Sequence, residues 1–221
     1  KLKHLTDVLQ EYKPKSKNKD GCFKDYKLGA EIGSGAYGTA FLIEKNGVKF
    51  IAKTINLEKF IVYPFNDVNM ILREIENHKK MSDINVAPKY YDSYICKENG
   101  NLTVFIIMEY MSEGTLNSYL AKGNKLTPEL KKKLDDKIDL MHKNQILHTD
   151  LHNENVLLTK KNGELDIYIA DWGLSINMSN KLEEHKQENR SLPYGQNTGR
   201  GKDFDLLKLT FSEIISKYMI L

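Results

Sequence analysis

A chain of 221 residues with 40% apolar content can bury a sizeable core, and disorder is not its default. Its 33 basic and 30 acidic residues leave a net charge of +3, too balanced to argue for nucleic acid. No apolar stretch approaches the roughly 18 residues a membrane span needs, and the lysine-rich start has no apolar segment behind it to make a signal peptide. In chain order, Leu2, Leu5, Val8 and Leu9 have helical spacing, and KPKSKNKDG at 13–21 reads as a solvated linker rather than a nucleic-acid patch. Residues 1–25 are therefore expected to be an appended helix and linker. Cys22 and Cys96 show neither metal-ligand spacing nor a disulfide framework, and read as buried or idle thiols of a reducing, cytoplasmic compartment.

From Tyr26 the pattern changes to strands: YKLGAEI, TAFLIEK and VKFIAKTI, the last two joined by Asn46-Gly47, a strong hairpin signal. Residues 66–82 read as a helix with Val68, Ile71, Leu72 and Ile75 on one face and Asn66 as its cap. Two more strands follow, KYYDSYIC and LTVFIIMEY, with the turn KENGN between them. After Glu113-Gly114 the chain turns helical, with a short helix at 115–122 and a longer one opened by Thr127-Pro128-Glu129 and running to about Asn144. The strand pair NVLLTK and LDIYIA surrounds Asn162-Gly163. Residues 175–200 are polar and turn-rich, and a helix from about Asp203 to Tyr218 closes the chain. A β-rich first half and a helical second half suggest two lobes around a cleft.

Polar residues concentrate at a few places. GSGAYG at 33–38 lies between two strands, so the dinucleotide reading of its glycines, which needs a helix next, loses to one in which amides cover phosphates. Lys53 stands in an apolar strand. It needs a counter-charge if it is held inward, and Glu74 and Glu76 compete for that place from different faces of the following helix. In HTDLHNENVLL, Asp150 can orient an attacking hydroxyl, while Asn155 there and Asp171 of the later DWG offer the oxygens that magnesium prefers. A zinc hydrolase would want His148 and His152 as ligands, but no H-E-x-x-H pattern accompanies them.

The ordered set GSGAYG, IAK, ILREIENHKKM, IIMEYMSEGTLNSYL, HTDLHNEN and DWG resembles the protein kinase family over residues 26–173. The resemblance implies an α+β bilobal fold with a β-rich N-lobe and hinge over 26–111 and a shortened helical C-lobe over 112–221. It implies that Gly33, Gly35 and Gly38 cover the phosphates of ATP and that Lys53, paired with Glu74, contacts them. By the same token Asp150 is the catalytic base, and Asn155 and Asp171 hold Mg2+. Adenine would meet the segment Met108 to Met111, through Glu109 and Met111, with Ala52 above its ring.

Departures from the family pattern are equally legible. Thr149 stands where many kinases carry an arginine that pairs with a phosphorylated loop, so the loop after 175 is expected to act by its own packing. The enzyme would then be active as synthesised or need a protein partner. His152 replaces the usual lysine, Trp172 replaces phenylalanine, and no APE follows, with only 50 residues left after Asp171. Such truncation resembles a compact viral or bacterial-effector kinase, working in a host cytosol. The expected function is an ATP- and magnesium-dependent protein kinase on serine or threonine. A small-molecule phosphotransferase of the aminoglycoside or choline type, favoured by His152, and a non-catalytic scaffold are the alternatives.

Overall fold

The computed structural model describes residues 2–14, 21–35, 38–62, 68–98 and 100–177. The expected closing helix, most of the 175–200 loop and the Asn66 cap lie outside them. The chain divides into two compact units, one of Lys1–Ile75 with Lys89–Tyr110 and one of Glu76–Pro88 with Met111–Leu221. Among the described residues no helix is long and apolar enough to cross a membrane.

The first unit contains α1 (Leu2–Val8), β1 (Glu11–Tyr12), a 3-10 turn (Gly21–Phe23), β2 (Lys27–Gly35), β3 (Gly38–Lys45), β4 (Val48–Asn56), α2 (Leu57–Ile61), the start of α3 (Val68–Asp83), β5 (Tyr90–Glu98) and β6 (Asn101–Glu109). Its six strands lie in the order β1-β5-β6-β4-β3-β2, antiparallel except for β1 beside β5. The β3–β4 turn is the expected one: Asn46 and Gly47 have φ of 53° and 77°, the left-handed pair that matches the twist of a two-residue hairpin. Strand alternation splits the apolar residues between two faces. Ile51, Ile55, Ile95, Val104 and Ile106 pack in one core with Val68, Ile71 and Ile75 of α3. Ile43, Ala52, Tyr94, Phe105 and Ile107 form the other with Phe23.

The N-terminal segment is not an appendage. Leu5, fully buried, and Leu9 join the α3-facing core, worth about 1.5–3 kcal/mol for a leucine. Tyr94 donates its hydroxyl to the Cys22 carbonyl (2.8 Å), and Lys24 pairs with Asp92 (2.6 Å). The reading of the cysteines as idle thiols is corrected here: Cys22 and Cys96 form a disulfide, with Cα atoms 5.7 Å apart and a sequence separation of 74. Spacing in a sequence cannot reveal such a pair, because the 3-10 turn and β5 meet only in the fold.

The second unit holds the end of α3, β7 (Gly114–Thr115), α4 (Leu116–Ala121), α5 (Pro128–Lys143), β8 (Ile146–Leu147), β9 (Val156–Lys161), β10 (Glu164–Ile169) and β11 (Ile176–Asn177). Thr127 caps α5 by accepting the Leu130 N–H (3.2 Å), with Pro128 in the first turn. The stripe Leu130, Leu134, Ile138 and Met141 then packs with Val156, Leu158, Ile167 and Ile169 of the β9–β10 hairpin. β8 pairs with β11, which brackets the polar loop at 148–155 and the DWG segment between two bonded strands.

Candidate active site

In the first unit, the glycines sit where β2 and β3 meet, with Gly35 opposite Gly38 and Gly33 opposite Ala40. A side chain at Gly38 would collide with the carbonyl oxygen of Thr54, so packing alone requires that glycine. At Gly33 and Gly35 an added Cβ would meet nothing within 4 Å. Protein packing does not explain those two, which suits a backbone kept bare for a ligand.

Lys53 reaches Glu74 on α3, and the two side chains are 15% and 5% exposed. Glu76 lies on the exposed side of the helix, so the competition left open by the sequence ends in favour of Glu74. Lys53 shares its strand face with Ile51. Ala52 points the other way, fully buried with Tyr94, Phe105 and Ile107. A ligand held by Lys53 would therefore meet Ile51, and the expectation that Ala52 covers its ring fails on strand parity. Counting two back from Lys53, rather than one, was the available signal.

Glu109 ends β6, where its N–H donates to the Lys89 carbonyl (2.8 Å). Met111, in the second unit, accepts the Gly114 N–H (3.2 Å) on its carbonyl.

The second unit gathers Asp150, Asn155 and the segment carrying Asp171. Asn155 donates its side-chain amide to the Asp150 carbonyl (2.8 Å) and to Asp150 Oδ2 (3.4 Å), while its own carbonyl accepts the Ala170 N–H (2.8 Å). That use of Nδ2 leaves Oδ1 as the Asn155 atom suited to a hard cation. Among the described residues no three His, Cys, Asp or Glu side chains gather to hold a metal by themselves. A divalent ion here would draw on this amide oxygen, the Asp171 carboxylate, water and phosphate, the set magnesium favours.

His148 is buried completely and stacks edge-on against Trp172, with ring centroids 4.9 Å apart. Burial pushes its pKa down, so the ring stays neutral. The neutral form fits both of its bonds: Nε2–H donates to the Ala170 carbonyl (2.8 Å), and Nδ1 accepts the Asp150 N–H (3.3 Å). His148 is thus a brace between the two loops and not a metal ligand. Thr149 donates its hydroxyl to the Leu174 carbonyl (2.8 Å). Thr149 and Asp171 both hold left-handed backbones, with φ of 68° and 62°, a strain of order 1 kcal/mol each that the surrounding bonds must hold. His152 Nε2 lies 3.0 Å from the Asn155 amide and 3.5 Å from Asp150 Oδ2. A neutral Nε2 can accept from the amide; a protonated one can only donate, and Asp150 is then its acceptor.

Comparison with known proteins agrees with this geometry. Residues 26–194 match the family model for the protein kinase domain. Similar curated proteins include an Aurora kinase of Saccharomyces cerevisiae, 25% identical over 76% of this chain and 45% of its own length. A serine/threonine-protein kinase stk11 homolog of Dictyostelium discoideum is 29% identical over 86% of this chain and 32% of its own length. Calcium-dependent protein kinase 4 of Solanum tuberosum is 29% identical over 68% of this chain and 27% of its own. The chain spans less than half the length of these relatives. With the model matching well over half of its residues, the chain belongs to the protein kinase domain family.

Proposed function

We propose that this chain is an ATP- and magnesium-dependent protein kinase that transfers the γ-phosphate to serine or threonine hydroxyls of a protein substrate. The observation that carries the proposal is the Asp150–Asn155 lock, in which one amide fixes the carboxylate that orients a hydroxyl and leaves an oxygen for the cation. ATP bound with magnesium supplies the phosphoryl group and neutralises its developing charge. Asp150 accepts the hydroxyl proton, and Asn155 with Asp171 holds the cation. The Glu74 carboxylate fixes the Lys53 ammonium for phosphate oxygens, and the bare backbone at Gly33 and Gly35 covers them. Relatives named as serine/threonine, Aurora and calcium-dependent protein kinases support the substrate class.

Regulation follows from Thr149. It is already bonded to Leu174, so ordering of this segment does not call on a phosphate–arginine pair. Ser175, 1% exposed, is closed to phosphorylation in this conformation, while Ser179, Ser191 and Thr198 lie outside the described residues. Phosphatase-treated protein should keep its activity, with or without a requirement for a protein partner. A cytoplasmic working place belongs to the same proposal, although the Cys22–Cys96 bridge pulls the other way.

His152 beside Asp150 favours a second reading, a small-molecule phosphotransferase. Labelled ATP and magnesium, offered with generic protein substrates and with a panel of sugars and amines, separates the two. Label on serine or threonine of proteins supports the kinase; label on the small molecules alone overturns it.

A further inference from the structure

Helix α3 carries three polar side chains on its buried stripe: Glu74, Asn77 and His78, at 4%, 2% and 2% exposure. Spacings of three and four residues put them on one face. Glu74 is taken by Lys53, and His78 bonds the Pro88 carbonyl through Nε2 (2.8 Å). Asn77 donates its side-chain amide to the Ser175 hydroxyl (2.8 Å), which donates to the Trp172 carbonyl (2.5 Å). Both ends of the Asn77–Ser175 bond are buried, so losing either strands a polar group away from water, a costlier change than losing an exposed bond.

The bond ends on a segment that other hydrogen bonds also anchor. Ala170 is fixed by His148 and Asn155, Leu174 by Thr149, and Trp172 by the Ser175 hydroxyl and N–H. Asp171 sits among them on its left-handed backbone. Ser175 closes the turn Trp172–Ser175 directly after Asp171, and Asn77 decides which way the Ser175 hydroxyl points: by donating to Ser175 Oγ it leaves the hydroxyl hydrogen for Trp172.

We infer that Asn77 is a positioning residue for the cation-binding Asp171, acting through Ser175 and the Trp172 carbonyl that Ser175 holds. The inference rests on the kinase reading for its consequence, a weaker hold on magnesium when the link is cut. The link itself is judged without any ligand. Trp172 is the sole tryptophan of the chain and is fully buried in the turn that the link closes, so its emission reports the turn in the unliganded protein.

The test uses Asn77→Leu, Ser175→Ala and the double variant in the full chain. Cutting the link should shift Trp172 emission to the red and raise its quenching by acrylamide in each single variant. It should also raise, on the order of fivefold, the magnesium needed to half-saturate the thermal shift given by ATP. The double variant should match the single ones, because both remove the same bond. A natively folded Ser175→Ala protein with unchanged emission overturns the inference, as do additive effects in the double variant. Should Asn77→Leu fail to fold, Ser175→Ala decides alone by the same emission. A wild-type chain that shows no thermal shift with magnesium and ATP contradicts the proposed function, while the emission result still judges the link.

Discussion

Glu74 and Glu76 are two residues apart and chemically alike, yet only Glu74 turns inward to Lys53. Glu74→Gln is expected to lower kcat/KM for ATP at least roughly tenfold, because the ammonium loses its fixed counter-charge, while Glu76→Gln changes nothing measurable. Equal losses in the two variants would mean that the pair does not position the lysine. Lys137 offers a residue-scale test of electrostatics away from the site. Its ammonium lies over the Tyr168 ring at 3.4 Å and 3.4 Å from Asp166, and burial pushes its pKa down to about 8. Folded Lys137 therefore releases its proton before the unfolded chain does, and between pH 8 and 10.5 the unfolded state binds more protons. Its contribution to stability should rise with pH across that window. Tyr168, whose own pKa is raised by burial, works in the opposite direction above its ordinary value of 10.0, so the lower part of the window is the clean one. Denaturation midpoints measured from pH 7.5 to 9.5 should show the rise in the parent chain and lose it in Lys137→Met; a parent chain insensitive to pH there would refute the buried, charged lysine.

At the scale of elements, strands, turns and the long helices were legible because their signals are local. Asn46-Gly47 and Asn162-Gly163 both take the left-handed pair that a tight hairpin demands, and Thr127-Pro128 starts α5 as read. What stayed hidden was set by distant contacts. β1 is placed by pairing with β5, the 3-10 turn by packing Phe23 on Phe41 and Phe105, β8 and β11 are two-residue strands that pair with each other, and α2 is a single short helix between β4 and α3. The N-terminal segment tests this directly. Replacing Cys22 and Cys96 together by alanine opens a loop closed over a sequence separation of 74, for which the chain-entropy estimate is a loss of about 4.5 kcal/mol. Hydrogen exchange should then show faster opening of residues 2–12 than of β4 and β6. Uniform opening of the whole unit would mean that the bridge does not act on this segment, and unreacted thiols in the air-oxidised protein would remove the bridge itself.

For the whole molecule, the ordered motifs from the glycines to DWG gave the family and the residues of the candidate site, since each motif is a short run of fixed chemistry. The bonds that support those residues were not legible, because they join Asn77 to Ser175, Thr149 to Leu174 and His148 to Ala170 across tens of residues. Ala52 shows the limit from the other side: its motif was found, but the face it occupies is decided by strand parity within a folded sheet. The central claim is phosphoryl transfer that depends on Asp150, and the most direct measurement compares wild type with Asp150→Ala for transfer of labelled phosphate to protein, alongside ATP binding read as a magnesium-dependent thermal shift. Transfer should fall by roughly 10²-fold or more, while the shift is kept, because the hydroxyl loses its orienting carboxylate and the cation keeps Asn155 and Asp171. A variant that transfers phosphate at near wild-type rate would contradict the assignment.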